Sequence, residues 1–285
     1  MENKADLTHR GNGYVLLAAL LWSTGGLLIK AIPWNGFATN CIRSLIAFAF
    51  FMFVRGKKSF HINKSVLMAA ASMAAVTTLF VLANKLTTSA NAIVLQYLSP
   101  VYVLLMTCLT EKKNPTVRQL LIVAVTFSGM VLFFMDQLDG GHIVGNILAI
   151  LCGIAYASLI YFNSRPDADA EDANTLGFLL AFLLCLPMCI LSKPEVSSIS
   201  LGTVFLLGVF QIGLPHLIFG KALQLTSPVS ASLISTLEAV FNPIWVFIAF
   251  GERPGKYALI GGIIILCGIA ANILWGSEKT KNNKK

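Results

Sequence analysis

Residues 143–162 read IVGNILAILCGIAYASLIYF. No charge interrupts these twenty residues, and at a 1.5 Å rise that is the length a helix needs to cross about 30 Å of hydrocarbon. Gly145, Ala149, Gly153 and Ala157 recur at every fourth position. One face of the helix is therefore flat enough for another helix to lie close against it. The stretch reads as a packed transmembrane span.

Outward from it, apolar runs of similar length recur near 13–32, 36–54, 65–84, 90–110, 117–135, 174–191, 201–221, 229–250 and 256–275. The 285 residues are 56% hydrophobic and 12% charged, with a mean hydropathy of +0.76. A soluble domain carries about twice that charged fraction. A membrane β-barrel needs alternating segments of about ten residues, and the sequence has none. The expected fold is an all-α integral membrane protein of ten transmembrane helices, with the lipid bilayer as its solvent. Residues 1–10 mix acidic and basic groups, and no small-residue cleavage site closes the run that follows. That run reads as a first span and not as a cleaved signal.

The net charge of +8 sits in short loops and the tail, without a basic helix face, so nucleic acid is not an expected partner. Fifteen Lys and Arg fall in segments that are cytoplasmic if both termini are, against five in the opposite loops, with Arg43 inside a span. The positive-inside rule then places both termini in the cytoplasm, in an inner or plasma membrane. The loop 163–174 carries Asp167, Asp169, Glu171 and Asp172 and is expected to be a solvated turn. The six cysteines lie inside apolar runs and read as small packing residues, with no metal site.

The two halves repeat. ANKLT (83–87) matches ALQLT (222–226) at an offset of 139, which Pro115 and Pro254 share, as do Gly129 and Gly268. GNGYVLLAALLW (11–22) parallels GNILAILCGIAY (145–156). Five spans per repeat is an odd number, so the second copy enters the membrane from the opposite side. The expected division is a first five-helix repeat over 1–137, a second over 138–275 and a basic tail at 276–285. Inverted repeats place a binding site at their interface near the midplane and let the halves rock between two openings.

CIRSLIAF in the second span, YLSPVYVLLMTCLTE closing the fourth and STLEAVFNPIWVFIAFGE closing the ninth resemble the EamA-type branch of the drug/metabolite transporter superfamily. The resemblance covers essentially the whole chain. It implies a secondary carrier, often an exporter of amino acids, related metabolites or toxic organics. That family usually has leucine–glutamate–proline in the ninth span and glycine–glutamate at its end. Glu238, Gly251 and Glu252 match, but Ala239 stands at the proline position. Pro243 four residues on suggests a displaced helix break.

Polar side chains inside spans are the candidate substrate-binding residues. An ionisable group at mid-span costs roughly 2.5–3.5 kcal/mol to insert, so Glu238 asks for a reason. Ser235, Glu238, Asn242 and Trp245 share one helical face. Glu238 reads either as a substrate or proton site, or as a structural group paired with Arg43. Arg43 can alternatively snorkel or hold a carboxylate of the cargo. Gln96, Tyr97 and Ser99 in the fourth span are candidates for the same cavity, with Thr107 near that face. Trp22 and Tyr156, matched between the halves, read as cavity walls or as packing. His216 reads as a proton relay or as a satisfied core histidine.

No catalytic motif of a membrane-embedded enzyme and no phosphate-cradling loop is present. The expected function is secondary transport of a small molecule, with no cofactor beyond a coupled proton. A passive channel, an embedded enzyme and a non-transporting sensor or scaffold stand as alternatives.

Overall fold

The computed structural model describes residues 4–25, 28, 32–112, 114–138, 141–250 and 255–282, and every regular element among them is helical. Seven apolar stretches are long enough to span a bilayer: Gly36–Arg55, Lys64–Ala83, Asn91–Glu111, Ile143–Asn163, Ala170–Ser192, Ser198–Leu223 and Lys256–Trp275. Val117–Phe133 and Pro228–Phe241 are shorter apolar stretches in the places expected for the fifth and ninth spans. The helix Lys4–Trp22 supplies the first. Its start lies nine residues before the predicted apolar run, and the last helix runs on to Asn282. Side chains facing outward are apolar, as lipid requires: Phe53 is 87% exposed and Leu109 79%.

Helix starts are set by local hydrogen bonding. The side chains of Asn35, Asn63 and Ser197 accept from the backbone amides of Ala38, Val66 and Ser200. Thr116 and Gln119 close a reciprocal capping box. In hydrocarbon such caps satisfy amides that water cannot reach.

The packing pattern is unchanged when each span is exchanged with the one five places along. The third span lies on the sixth and seventh, as the eighth lies on the first and second. The fourth lies on the sixth as the ninth lies on the first, and the second packs on the seventh, the fifth on the tenth and the fourth on the ninth. The small-residue face of the sixth span sits where the sequence placed a seam. A Cβ on Gly145 would lie 2.5 Å from the Leu86 carbonyl, and one on Gly153 would lie 2.8 Å from the Gln96 carbonyl. Gly11, the counterpart of Gly145, packs as closely on Leu225 and Thr226. The repeated GN and LT motifs are therefore partners across the two halves. Thr226 Oγ1 donates to Asn12 Oδ1 at 2.6 Å, and Thr87 Oγ1 to Asn146 Oδ1 at 2.7 Å.

The fourth and ninth spans are both broken. The fourth runs as Ser89–Gln96 and Ser99–Glu111, the ninth as Pro228–Ser235 and Leu237–Phe250. The pieces start behind matched caps, Thr88 and Ser227, and stop at matched positions, Tyr97 and Thr236. The expected displacement of the second break to Pro243 is not what forms. The backbone is helical through that residue and the interruption falls at Thr236. Thr236 Oγ1 and Ser235 Oγ bond back to the carbonyls of Leu233 and Ser232. Hydroxyls three residues on thus tighten the last turn, and the break forms with Ala239 in the proline position.

The acidic loop is likewise different from expectation. Asp172 is buried at 3% exposure. It meets Arg55 Nη2 at 2.5 Å and accepts the His61 amide at 2.6 Å. Asp169 caps the seventh span, Ser65 donates to Asp167, and Lys58 pairs with Glu171. The loop is a clasp that holds residues 55–65, because those residues bring the cations and donors that neutralise it. Both segments lie at one end of the bundle.

Candidate functional site

The breaks of the fourth and ninth spans face each other across the repeat interface. Tyr97 ends the first half of one, Ser235 ends the first half of the other, and Glu238 opens the next helix. Tyr97 Oη donates to Glu238 Oε2 at 2.5 Å and reaches the Ser235 carbonyl at 3.2 Å. Two residues on, Ser99 and Ser232 bring their hydroxyls within 3.3 Å of each other. Tyr97, Ser99 and Ser235 are buried, while Glu238 is half-buried. Tyr97 is the one polar side-chain partner of Glu238 among the described residues. A broken helix exposes carbonyls and a free helix start at membrane depth only where protein or a cavity lines it. The pair Tyr97–Glu238 marks that place.

Around it lies an aromatic wall. Trp22 packs edge-on to His216, Phe219 and Tyr156 with ring centroids 4.9, 5.0 and 6.5 Å away, and Tyr156 stacks on Phe219 at 6.3 Å. His216 Nδ1 is 2.7 Å from the Ile212 carbonyl and 3.3 Å from the Trp22 indole nitrogen. A carbonyl only accepts, so its bond to Nδ1 needs the proton there, and the indole contact is then packing. Trp245 Nε1 donates to Ser23 Oγ at 2.7 Å, tying the ninth span to the end of the first helix.

Two expected members lie elsewhere. Gln96 contacts the sixth span, where Cys152 Sγ is 3.7 Å from its Oε1. Arg43 neither snorkels nor pairs with Glu238. It is 4% exposed and its Nε donates to Asn40 Oδ1 at 3.0 Å. The side chain of Asn242, and Gly251 and Glu252 as a whole, lie outside the described residues. Thr107 bonds to the Val103 carbonyl of its own helix.

Sequence reasoning missed Gln211. The eighth span is wound as a π-helix over Leu207–Gly213, a form that recurs at functional sites. Gln211 sits in that segment at 7% exposure, with Nε2 3.4 Å from the Trp22 carbonyl and Oε1 without a partner. A lone glutamine in the middle of an apolar run was the available signal. A cavity of about 260 Å³ opens nearby, bounded by Phe51, Asn174, His216 and Gly220 on the inside and by Asp169, Glu171, Lys221 and Gln224 at its mouth. A second gap of about 10 Å³, one water in size, lies beside Tyr97 and Thr236.

The chain is 26% identical to an uncharacterized transporter of Archaeoglobus fulgidus over 89% of this chain and 93% of that one. It is 25% identical to human solute carrier family 35 member G1 over 95% and 80%. It is 23% identical to the uncharacterized inner membrane transporter YicL of Salmonella typhimurium over 92% and 94%. A solved crystal structure shares the fold with a TM-score of 0.80, covering 93% of this chain and 96% of that one at 17% identity. The model of the EamA-like transporter family matches twice, over residues 9–135 and 143–274. Paired matches over nearly the whole length, on an all-helical membrane fold with matched broken spans, place this chain in the EamA-like transporter family.

Proposed function

We propose that the protein is a secondary carrier that exports a small metabolite, an amino acid, amine or related organic compound, by rocking its two halves about the Tyr97–Glu238 contact. The observation that carries the reading is that contact itself: a carboxyl at membrane depth, held by one hydroxyl from the opposite half, where both halves break their helices. A carboxyl whose one side-chain partner among the described residues is an exchangeable hydroxyl can trade it for a proton or for a cationic group on the cargo as the interface opens. A structural carboxyl would be expected in a closed network like that of Asp172. The termini are assigned to the cytoplasm on the positive-residue count, and the bilayer to a plasma or inner membrane.

The experiment compares cells lacking the protein with cells overexpressing it, by untargeted profiling of the medium. Glu238→Gln, matched for expression and monodispersity, is expected to reduce the accumulated compound at least tenfold. Wild-type accumulation by that variant makes Glu238 structural. A compound transformed instead of translocated would return the enzyme reading.

A further inference from the structure

The repeat is broken at one corner of the bundle. The fifth and tenth spans pack on each other, and where Val117 opens the fifth span the tenth ends its apolar run at Trp275. The Arg118 guanidinium lies over the Trp275 ring, 4.1 Å from its centroid. The offset of 139 carries these two positions to Tyr257 and Asp136. The counterpart of this corner, at the opposite membrane face, therefore has neither the cation nor the indole.

Arg118 is exposed, and no hydrogen bond or carboxylate engages it among the described residues. Other cations at that end are neutralised within the chain: Arg55 by Asp172, Lys58 by Glu171 and Arg165 by Asp167. Membrane topology needs only a count of positive residues, not a fixed guanidinium. Here the capping box of Thr116 and Gln119 fixes the turn that bears Arg118, and the indole holds the group from one side. A guanidinium set against a ring keeps N–H donors on its outer edges, where two parallel ones match a phosphate.

The surroundings add both charge and apolar surface. Residues 111–118 and 275–285 hold seven Lys and Arg against Glu111 and Glu278, a net +5 of the chain's +8. The last helix continues to Asn282 and carries Lys279 and Lys281 beyond the apolar run. A juxtamembrane cluster of this size attracts anionic lipid. Toward the bilayer, Leu121 and Val125 continue the helical face of Arg118 and are exposed, as is Leu274 next to Trp275. The ligand that matches both features is an anion joined to a hydrocarbon chain. A soluble phosphate would leave the apolar stripe unused.

We infer that Arg118 and Trp275 form a site for one anionic phospholipid, in the leaflet on the side of the chain termini. Its phosphodiester sits on Arg118 and an acyl chain lies along Leu121 and Val125. Lipid binding at this corner is independent of the carrier reading and of the Tyr97–Glu238 contact.

The experiment uses the full-length protein, delipidated in dodecyl maltoside, titrated with lipid and read by native mass spectrometry. The first dioleoylphosphatidylglycerol should bind about tenfold more tightly than dioleoylphosphatidylcholine. Arg118→Gln, at an exposed position where folding is not at stake, should weaken that binding about fivefold, the effect of one cation at an anionic surface. Arg118→Lys, which keeps the charge without the fork, should lose less. Trp275→Leu should also weaken it, whereas Lys57→Gln, in the loop after the second span, should not. Glycerol 3-phosphate, a phosphate without acyl chains, should not compete. Equal affinity for the two lipids, unchanged binding in Arg118→Gln or Trp275→Leu, or competition by glycerol 3-phosphate overturns the inference. An equal loss in Lys57→Gln does so too, because the attraction would then be a diffuse field of the whole face and not a site.

Discussion

At the residue scale the site turns on one hydroxyl. Tyr97 Oη donates to Glu238 and touches the Ser235 carbonyl, so it holds the carboxyl and closes the broken end of the ninth span together. Tyr97→Phe keeps the ring and its packing while removing the donor. A lost hydrogen bond to a charged or exchangeable group is worth about 1.5–3 kcal/mol, so export should fall at least tenfold while the chain still folds. Accumulation in the medium measures this, and an unaltered rate makes Tyr97 a spectator. The sequence singled out Glu238 because a carboxyl inside an apolar run has few reasons to be there, and Tyr97 as a candidate for the same cavity; their direct contact is what the structure adds. A straight helix puts 96, 99 and 107 near one face, but the interruption after Gln96 resets the helical phase, so Gln96 meets the sixth span while Ser99 meets Ser232 of the ninth. Arg43 was expected to snorkel or to meet a carboxylate, of Glu238 or of the cargo, whereas Asn40, one turn back on its own helix, takes Nε.

At the element scale the clasp between residues 55–65 and 165–172 decides how firmly one end of the bundle is held. Removing one partner of a buried ion pair leaves the other charge desolvated, at about 3–5 kcal/mol. Asp172→Asn should therefore lower thermal stability strongly, while Arg55→Met with Asp172→Leu should recover most of it. A double variant no better than the single one would show that the His61 amide, not the ion pair, is what Asp172 secures. Asp167 gives the clasp a pH response. Its carboxyl is held below the ordinary carboxylate range by the Ser65 hydroxyl first, then by its own backbone amide and Arg165. A carboxyl depressed on folding contributes stability above its unfolded pKa and loses it as pH falls through the folded one. Melting temperature should thus decline as pH drops through and below the usual carboxylate range, and Ser65→Ala should flatten that decline. An identical profile in Ser65→Ala would detach the effect from Asp167. None of this was legible as a clasp, because the acids and bases that pair across it lie 113 and 117 positions apart and the sequence says nothing of which loops adjoin.

At the scale of the whole molecule the repeat supplies two latches at opposite ends. Thr226 bonds Asn12 at the end that also carries the cavity mouth, and Thr87 bonds Asn146 at the other. The offset of 139 between the two threonines was visible in the sequence, as was the parallel between the two asparagines. What could not be read was that each motif bonds the other half's motif, because pairing across an inverted axis has no sequence period. The latches are unequal: Asn91 adds bonds to Asn146 and Thr87, at 3.0 and 3.2 Å, while its counterpart Ser230 is engaged by Asn272. If the halves rock, opening either end must break the latch there and leave the opposite one intact. Asn12→Ala should then shift the population toward the end assigned to the cytoplasm, and Asn146→Ala toward the opposite face. One neutral hydrogen bond is worth about 1 kcal/mol, or roughly a fivefold change in a two-state ratio, with the better-bonded Asn146 latch giving the larger shift. In a cysteine-free background, Leu217→Cys on the cavity wall reports this through its labelling rate with an impermeant maleimide. Labelling from the cytoplasmic side should rise about fivefold with Asn12→Ala and fall with Asn146→Ala. Shifts of the same sign from both variants would mean the two bonds merely staple the fold, and that any rocking uses another pair of contacts.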